Sequence, residues 1–443
     1  MTVTYHPRTV KETALPPIRS SEAEDRPSEN GTAQRLVQAG ISLIARGGFR
    51  ALTVRDVAAM ADISFPSVQY HFPAKADLLA AVFNATAAQH CHMLDSLLPD
   101  VEPGEMGPIA LSTVANAVLA DWCTTHAELT LAAHEMLLAA YRDPTLAGAG
   151  AAWITRQHAA WTELIGRTTG TPDPDVAWFV LELLIGLSLT TLGCGRPIEA
   201  GLANHEILYF ALVGPGDWPS MPVWYPALLA AIDKEERSDD TELSRTTFRS
   251  GHPAAEKILR AGMAIVAEEG SSQLTFRGVA TRAGVAVTSV TNNFHTRENL
   301  VYRVYRRIQD DMAEVTFRHG WDGPAEQLPS DLFGTLFRTV MGDREPSFLA
   351  AYDLILAAAR DERLSCHAWR MRMTRGVHLL VKRGLMPPPG PQSYFCSHIV
   401  SLWGMGVGLL HHIRGGDLDE RMTLIEARLR AGMQRLPLSR WPN

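Results

Sequence analysis

Apolar residues recur at helical spacing along most of the chain. Leu36, Val37, Ile41 and Ile44 form one stripe and predict a helix over Thr32–Arg46, which Gly47-Gly48 stops. Val54, Val57 and Ala58 share a face of a second, shorter helix. Thr53 can cap it by accepting an N–H that the first turn leaves unpaired, and Asp56 suits the positive end of its dipole. Ala61-Asp62-Ile63 makes a turn, with Asp62 able to adopt a left-handed backbone. Ser64 caps a third helix and Pro66 fits within its first turn. Val68 and Phe72 point inward, while Ser67, Gln69, Tyr70 and His71 face out. A fourth helix begins near Ala74 and runs through Leu78, Leu79, Val82 and Phe83 towards Leu97. Two short helices joined by a tight turn, the second polar on its outer face, make a helix-turn-helix whose second helix enters the DNA major groove.

The run Thr53-Val54-Arg55-Asp56-Val57-Ala58, then Ser64, Tyr70-His71-Phe72, Lys75 and Leu78, resembles the N-terminal DNA-binding domain of the tetracycline-repressor (TetR) family. Sliding the chain by 222 residues lays Ala33–Leu78 over Ala255–Leu300 without a gap. Ala39-Gly40 then meets Ala261-Gly262, Gly48 meets Gly270, and Leu52-Thr53 meets Leu274-Thr275. Arg55 meets Arg277, Val57-Ala58 meets Val279-Ala280, Ser67-Val68 meets Ser289-Val290, Phe72 meets Phe294 and Lys75 meets Arg297. The repeat continues further on, where Leu131–Asp143 resembles Leu349–Asp361 at an offset of 218. Units of this size are regulator-sized halves rather than solenoid repeats.

The chain is therefore expected to be all-α, built from two tandem TetR-like halves. Residues 1–30 read as a disordered arm, polar and without period, and 31–90 as a first helix-turn-helix head. Residues 91–232 read as a first helical effector-type body, with helical segments at 109–126, 129–141, 151–168, 175–192, 199–213 and 222–232. The charged stretch 233–251 reads as a linker able to extend roughly 60 Å at full stretch. Residues 252–309 read as a second head and 310–443 as a second body, with helices over 392–413 and 417–436. In TetR relatives the late body helices pack across a two-fold axis as a four-helix bundle. By that resemblance the two halves form an intramolecular pseudo-dimer, with Gly186, Gly404, Gly406 and Gly408 permitting close helix approach. Further pairing of two whole chains stays open.

Charge sharpens this picture. The net charge of −7 argues against a protein that coats nucleic acid generally. Both heads, however, are net basic: Arg35, Arg46, Arg50, Arg55 and Lys75 outweigh the acids of the first, and Lys257, Arg260, Arg277, Arg282, Arg297, Arg303, Arg306 and Arg307 those of the second. Arg8, Lys11, Arg19 and Arg26 in the arm read as a solvated tail, with contact to DNA as the alternative. Cys91, Cys123, Cys194, Cys366 and Cys396 show no paired spacing and read as reduced thiols. The first residues are not a signal peptide, and the run Val176–Cys194, interrupted by Glu182, reads as a buried helix rather than a membrane span. The expected location is cytoplasmic.

By resemblance, Thr53, Tyr70 and Lys75 are the phosphate contacts of the first head, and Ser64, Phe65, Ser67, Gln69 and His71 line its reading helix. Gln69 can pair with adenine and Phe65 can meet a thymine methyl. Arg55 is open between phosphate, guanine and a plain surface charge. In the second head Thr275, Arg277 and Arg297 are retained, and Val287, Thr288, Ser289, Thr291, Asn292 and Asn293 form the reading helix. Here Asn292 and Asn293 replace the family's Tyr-His, and Ala286 replaces the Ser64 cap. That head reads either a different half-site or, weakened, serves only the geometry of the pair.

Catalytic motifs are absent: no Gly-x-Ser-x-Gly, no phosphate loop, no His-Glu-x-x-His. His90-Cys91-His92 and His411-His412 lack a second pair at metal spacing, so neither a metal nor a cofactor is expected. Aromatic and histidine residues crowd the bodies. Trp122, His126, His134, Trp153, His158 and Trp178 are the candidate effector-pocket residues, with Trp161, Trp369, His378, Tyr394 and Trp403 nearby in kind. The resemblance implies a sequence-specific transcriptional regulator, not an enzyme. Its partners would be double-stranded DNA bearing two half-sites and a small-molecule effector that releases a repressor. The alternative is a ligand or protein-partner sensor with one or both heads degenerate.

Overall fold

A computed structural model of the chain describes residues 29–96, 107–214, 222–243, 253–318, 345–365, 368–369, 391–415 and 417–435, and every regular element among them is helical. The arm up to residue 28, residues 319–344 of the second body and His378 lie outside the described residues.

The first head comprises α1 (Glu29–Gly47), α2 (Val54–Ala61), α3 (Phe65–His71) and the start of α4 (Lys75–Ser96). Leu36, Ile41, Ile44, Leu52, Val57, Val68, Leu78 and Val82 are fully buried and close its core. The body after it is α5 (Gly107–Cys123), α6 (Ala127–Arg142), α7 (Pro144–Thr169), α8 (Pro174–Leu192), α9 (Pro197–Val213) and α10 (Trp224–Leu243). Prolines open α7, α8 and α9, where the missing N–H costs nothing, and Asp143 and Asp173 cap the first two. Helix α10 continues into the stretch read as linker, because Lys234-Glu235-Glu236-Arg237 are strong helix formers; 244–252 is not described.

Four helices form the second head: α11 (Pro253–Glu269), α12 (Phe276–Ala283), α13 (Val287–Phe294) and α14 (Arg297–Arg318). They are followed by α15 (Glu345–Ala358), α16 (Pro391–Arg414) and α17 (Leu418–Arg435). Helix α16 lies across α8 and touches α6 and α7, while α15 packs on α6, α11 and α14. Among the described residues one helix, Pro174–Leu192, is long and apolar enough to cross a membrane, and most of it is buried against other helices.

The α8–α16 crossing depends on two glycines. A Cβ on Gly186 would collide with the carbonyl of Leu402, and one on Gly406 with the carbonyl of Glu182. Glu182, the charge interrupting the apolar run, is fully buried and accepts hydrogen bonds from Trp403 Nε1 (2.7 Å), His411 Nε2 (2.7 Å) and Arg428 Nε (2.9 Å). Burial alone would push its carboxyl up; His411 and Arg428 outweigh that and hold it below the usual carboxylate value.

Candidate nucleic-acid interface and its coupling to the bodies

The reading surface of the first head follows from its caps. Thr53 Oγ1 accepts the amide of Asp56 (3.1 Å), Asp62 takes the left-handed conformation (φ 53°) that ends α2, and Ser64 Oγ accepts the amide of Ser67 (3.4 Å). With Val68 fully buried, the opposite face of α3 is presented outward. Phe65 is 42% and Tyr70 71% exposed, and Thr53, Arg55, Ser64, Gln69 and Lys75 are exposed as well. Ser67 and His71 are half-buried at the edge of the same face. Lys75 is the first residue of α4, where side-chain charge and helix N-terminus act together on an anion.

The second head repeats the frame with a different surface. Thr275 Oγ1 accepts the amide of Gly278 (3.1 Å), and Gly284 takes the left-handed position. Ala286 leaves α13 without a side-chain cap. Val287, Thr288, Thr291 and Asn292 are exposed, and Ser289 and Asn293 half-buried. The Asn293 amide donates to Ser289 O (2.7 Å). Arg277 is exposed, whereas the exposed Arg297 turns its guanidinium inward, donating to Leu274 O and Ser271 O (both 3.2 Å). Where the first head has Pro73, His295 holds φ at 52°, a conformation costly for a residue with a Cβ.

The six effector-pocket candidates do not form one cluster. Trp122 and Trp153 flank His90 at centroid distances of 4.7 and 6.0 Å in the interior of the first body. His126 is part-exposed and paired with Asp121 (3.0 Å). His134 bridges Ser188 Oγ (2.9 Å) and Tyr352 OH (2.7 Å), joining α6 to α15. His158 and Trp178 stack at 4.1 Å, and Arg414 lies 4.3 Å over the same indole, at the α16 junction. Side chains of either sort, pocket or junction, are aromatic and at least partly buried, so composition does not separate them.

Sequence reasoning missed His90 and Gln157 as members of the interior cluster. His90 Nε2 faces Thr130 Oγ1 (3.3 Å) and the Gln157 amide donates to Ala87 O (3.2 Å). His90 Nδ1, Gln157 Oε1 and the indole nitrogens of Trp122 and Trp153 are buried with no hydrogen-bond partner. Burial holds His90 and His134 down to about 3, so both are neutral imidazoles at ordinary pH. It also pushes the Cys91 thiol up and the Cys396 thiol up to about 12, which leaves no reactive thiolate at either. No group of three metal-ligating side chains occurs among the described residues. An apolar cleft of about 670 Å³ lies elsewhere on this body, between Leu111, Ile165, Val176, Phe179 and Leu212.

Heads and bodies meet through two arginines. Arg142, at the end of α6, donates to Asp353 Oδ2 (3.1 Å) on α15 and to Val266 O (3.0 Å) on α11. Arg360, just past α15, pairs with Glu135 Oε1 (2.7 Å) on α6 and donates to Ile44 O (3.2 Å) and Ala45 O (2.6 Å) on α1. Glu135 also accepts the amide of Phe49 (3.1 Å), and Asp353 that of Ser271 (2.6 Å). Burial pushes the Glu135 carboxyl up, and Arg360 opposes this. A cavity of about 340 Å³ sits among Arg50, Glu135, Arg142, Glu269, Asp353 and Arg360. Neither arginine was assigned a role from sequence, although Glu135/Asp353 and Arg142/Arg360 occupy matching positions of the repeat.

Comparison with known proteins places this geometry. Residues 36–82 match the family described as bacterial regulatory proteins, tetR family, and residues 107–206 match the tetracyclin repressor-like C-terminal domain. Among solved structures, the multidrug binding protein EbrR complexed with imidazole is 26% identical, over 40% of this chain and 92% of that one, with a TM-score of 0.32. No curated protein matches. The first half of the chain thus contains an N-terminal domain of the type found in the tetR family of bacterial regulatory proteins, followed by a tetracyclin repressor-like C-terminal domain.

Proposed function

We propose that the protein is a sequence-specific transcriptional repressor in which one chain does the work of a regulator dimer. Two heads, on residues 31–90 and 252–309, would engage adjacent major grooves of one operator, and an effector bound in the first body would release it. The observation that carries this reading is the pairing of equivalent positions. His134 hydrogen-bonds Tyr352, its own counterpart in the repeat, as a residue near a two-fold axis does. Arg142–Asp353 and Arg360–Glu135 are counterparts of each other about the same axis.

In the first head, Thr53, Tyr70 and Lys75 act on phosphates, and Ser64, Phe65, Ser67, Gln69 and His71 read bases, with Arg55 at the rim. In the second head, Thr275 and Arg277 act on phosphate, and α13 reads a half-site of different sequence. The effector enters the His90–Trp122–Trp153–Gln157 cluster, whose unpaired polar atoms would be satisfied by a ligand carrying both donors and acceptors. His90 lies on α4, the helix that begins at Lys75, so a displacement there moves the head. Release requires only that the effector favour one head spacing over the other.

The test is selection of fragmented genomic DNA on the purified full chain at low and raised salt, followed by native mass spectrometry on the enriched duplex. One chain per duplex with two half-sites about one turn apart (roughly 35 Å) is expected. Two chains per duplex would overturn the pseudo-dimer, and the absence of any salt-resistant motif would overturn the regulator reading.

A further inference from the structure

We infer that Arg142 and Arg360 are positioning residues that tie each head to the body of the opposite half, so that the two heads move as one unit. This inference rests on the two-headed reading above and adds to it the route by which one body controls both heads.

The geometry is crosswise. Arg142 belongs to the first body, yet its carbonyl contact is on α11 of the second head. Arg360 follows α15 of the second body, yet its carbonyl contacts are on α1 of the first head. In each case the guanidinium meets the last turn of the head's long helix. The negative end of the helix dipole favours a cation there, and Ile44 O and Val266 O, which already accept the amides of Gly48 (2.9 Å) and Gly270 (3.1 Å), each have a second lone pair to offer it. The planar fork lets one side chain span a carboxylate and a carbonyl together, which a lysine ammonium on its flexible stem holds less rigidly.

The carboxylates complete the tie. Glu135 binds Arg360 with one oxygen and the Phe49 amide of its own half's head with the other. Asp353 does the same with Arg142 and the Ser271 amide. The chain approaches each carboxylate over a glycine with positive φ: Gly48 (82°), where an added Cβ would lie 3.5 Å from Glu135 Oε2, and Gly270 (93°), where it would lie 3.0 Å from Asp353 Oδ2. Each head is therefore gripped by its own body through an amide and by the other body through an arginine. A head cannot leave its body without breaking a bond to the opposite half. Both arginine side chains are 18% exposed and their carboxylates 6–8%, so these bonds are shielded from water.

The consequence is that an effector acting on the first body alone repositions both heads. Displacing α6 carries Glu135 and Arg142 together, and with them Phe49 of one head and Val266 of the other.

Hydrogen exchange read by mass spectrometry on the full chain, without DNA, tests the crosswise tie. Arg142→Met is expected to speed exchange in α11 about tenfold or more relative to α1, the loss of one hydrogen bond to a charged group. Arg360→Met is expected to do the reverse. Faster exchange in the same half's head, in both heads equally, or in neither would overturn the inference. Arg142→Lys and Arg360→Lys, which keep the charge, serve if a methionine variant fails to fold; they should give the same crosswise pattern at smaller amplitude. A second readout separates coupling from local support. On duplexes whose half-sites are moved apart by two base pairs, the double variant is expected to lose most of the native preference for the original spacing. Unchanged spacing preference would overturn the coupling. Because exchange is measured without DNA, the tie can fail while operator binding survives, and the converse is equally visible.

Discussion

The two heads share a frame and differ on their outer surface. In both, a threonine caps the second helix, a left-handed residue ends it, and a buried valine (Val68, Val290) anchors the third. What faces outward has changed: Tyr70 and His71 against Asn292 and Asn293, a free-standing Lys75 against an Arg297 that braces Leu274 and Ser271. The lesson is that packing constrains interior positions while the outward face can be rewritten, since an exposed side chain has few neighbours to satisfy. The first head keeps its cation exposed at the start of α4, and the second turns its cation onto its own backbone.

The largest test of this contrast lies inside the heads. Phe294 is fully buried, whereas Phe72, its counterpart, is only half-buried. Phe294→Ala is expected to cost about 3–5 kcal/mol, and Phe72→Ala distinctly less. Exchange-derived opening energies of α11–α13 and α1–α3 measure both. Equal losses would mean that the two interiors are more alike than the burial indicates.

Next in size is the cation at the start of the fourth helix. Lys75→Ala should weaken binding to all DNA sequences and reduce the salt slope of the affinity by about 0.9. Arg297→Ala should leave that slope nearly unchanged and instead destabilise the second head by about 1 kcal/mol, a figure reduced for the solvent exposure of the side chain. A slope reduced equally by both changes would return Arg297 to the phosphate set.

Why some of this could be read from the chain and some could not follows from the same contrast. The helices of the heads were legible because apolar positions recur at the same spacing, several with the same residue: Leu52-Thr53 with Leu274-Thr275, Val57-Ala58 with Val279-Ala280. Helix ends were legible from prolines and capping aspartates such as Asp143 and Asp173. The linker was misread at its start, since local charge predicts exposure but not whether a helix carries on through it, as α10 does to Leu243. The effector residues scattered because aromatics pack both inside a body, as with the buried Trp153, and beside α16, as with the half-buried Trp178. Glu182 looked like an interruption of an apolar run; its partners His411 and Arg428 lie far along the chain, and nothing local names them. Arg142 and Arg360 were visible as equivalent positions, but equivalence does not say that each pairs with the other's neighbour. That follows only from how α6 is placed against α15, α1 and α11.

A smaller effect sharpens the comparison of caps. Ser64→Ala should destabilise the first head by about 1 kcal/mol, and Ala286→Ser should stabilise the second by a similar or smaller amount, because its backbone (φ −67°, ψ 145°) already matches that of Ser64 (φ −67°, ψ 144°). Thermal unfolding of each variant reads the sign directly. A serine at 286 without benefit would show that something other than the missing hydroxyl weakens the start of α13.

The smallest expected effect concerns the turn after the reading helix. His295 holds φ 52° with ψ −48°, outside the left-handed region that Asp62 occupies at φ 53° and ψ 52°. For a residue with a Cβ such a conformation costs on the order of 1 kcal/mol or more, and glycine removes that cost. Glycine also has more freedom to lose on folding, by about 0.5–1 kcal/mol. The two terms nearly cancel, so His295→Gly should stabilise the second head by no more than a few tenths of a kcal/mol, with α13 exchange unchanged or slightly slower. The first head offers the control: Pro73 already restricts the chain at this place, and Pro73→Gly should destabilise by freeing the unfolded state. Opposite signs at the two positions would establish that the heads solve the same turn differently, one by restricting the chain and one by straining it. A clear loss of stability in His295→Gly would instead mean that the imidazole makes a contact worth more than the strain it brings.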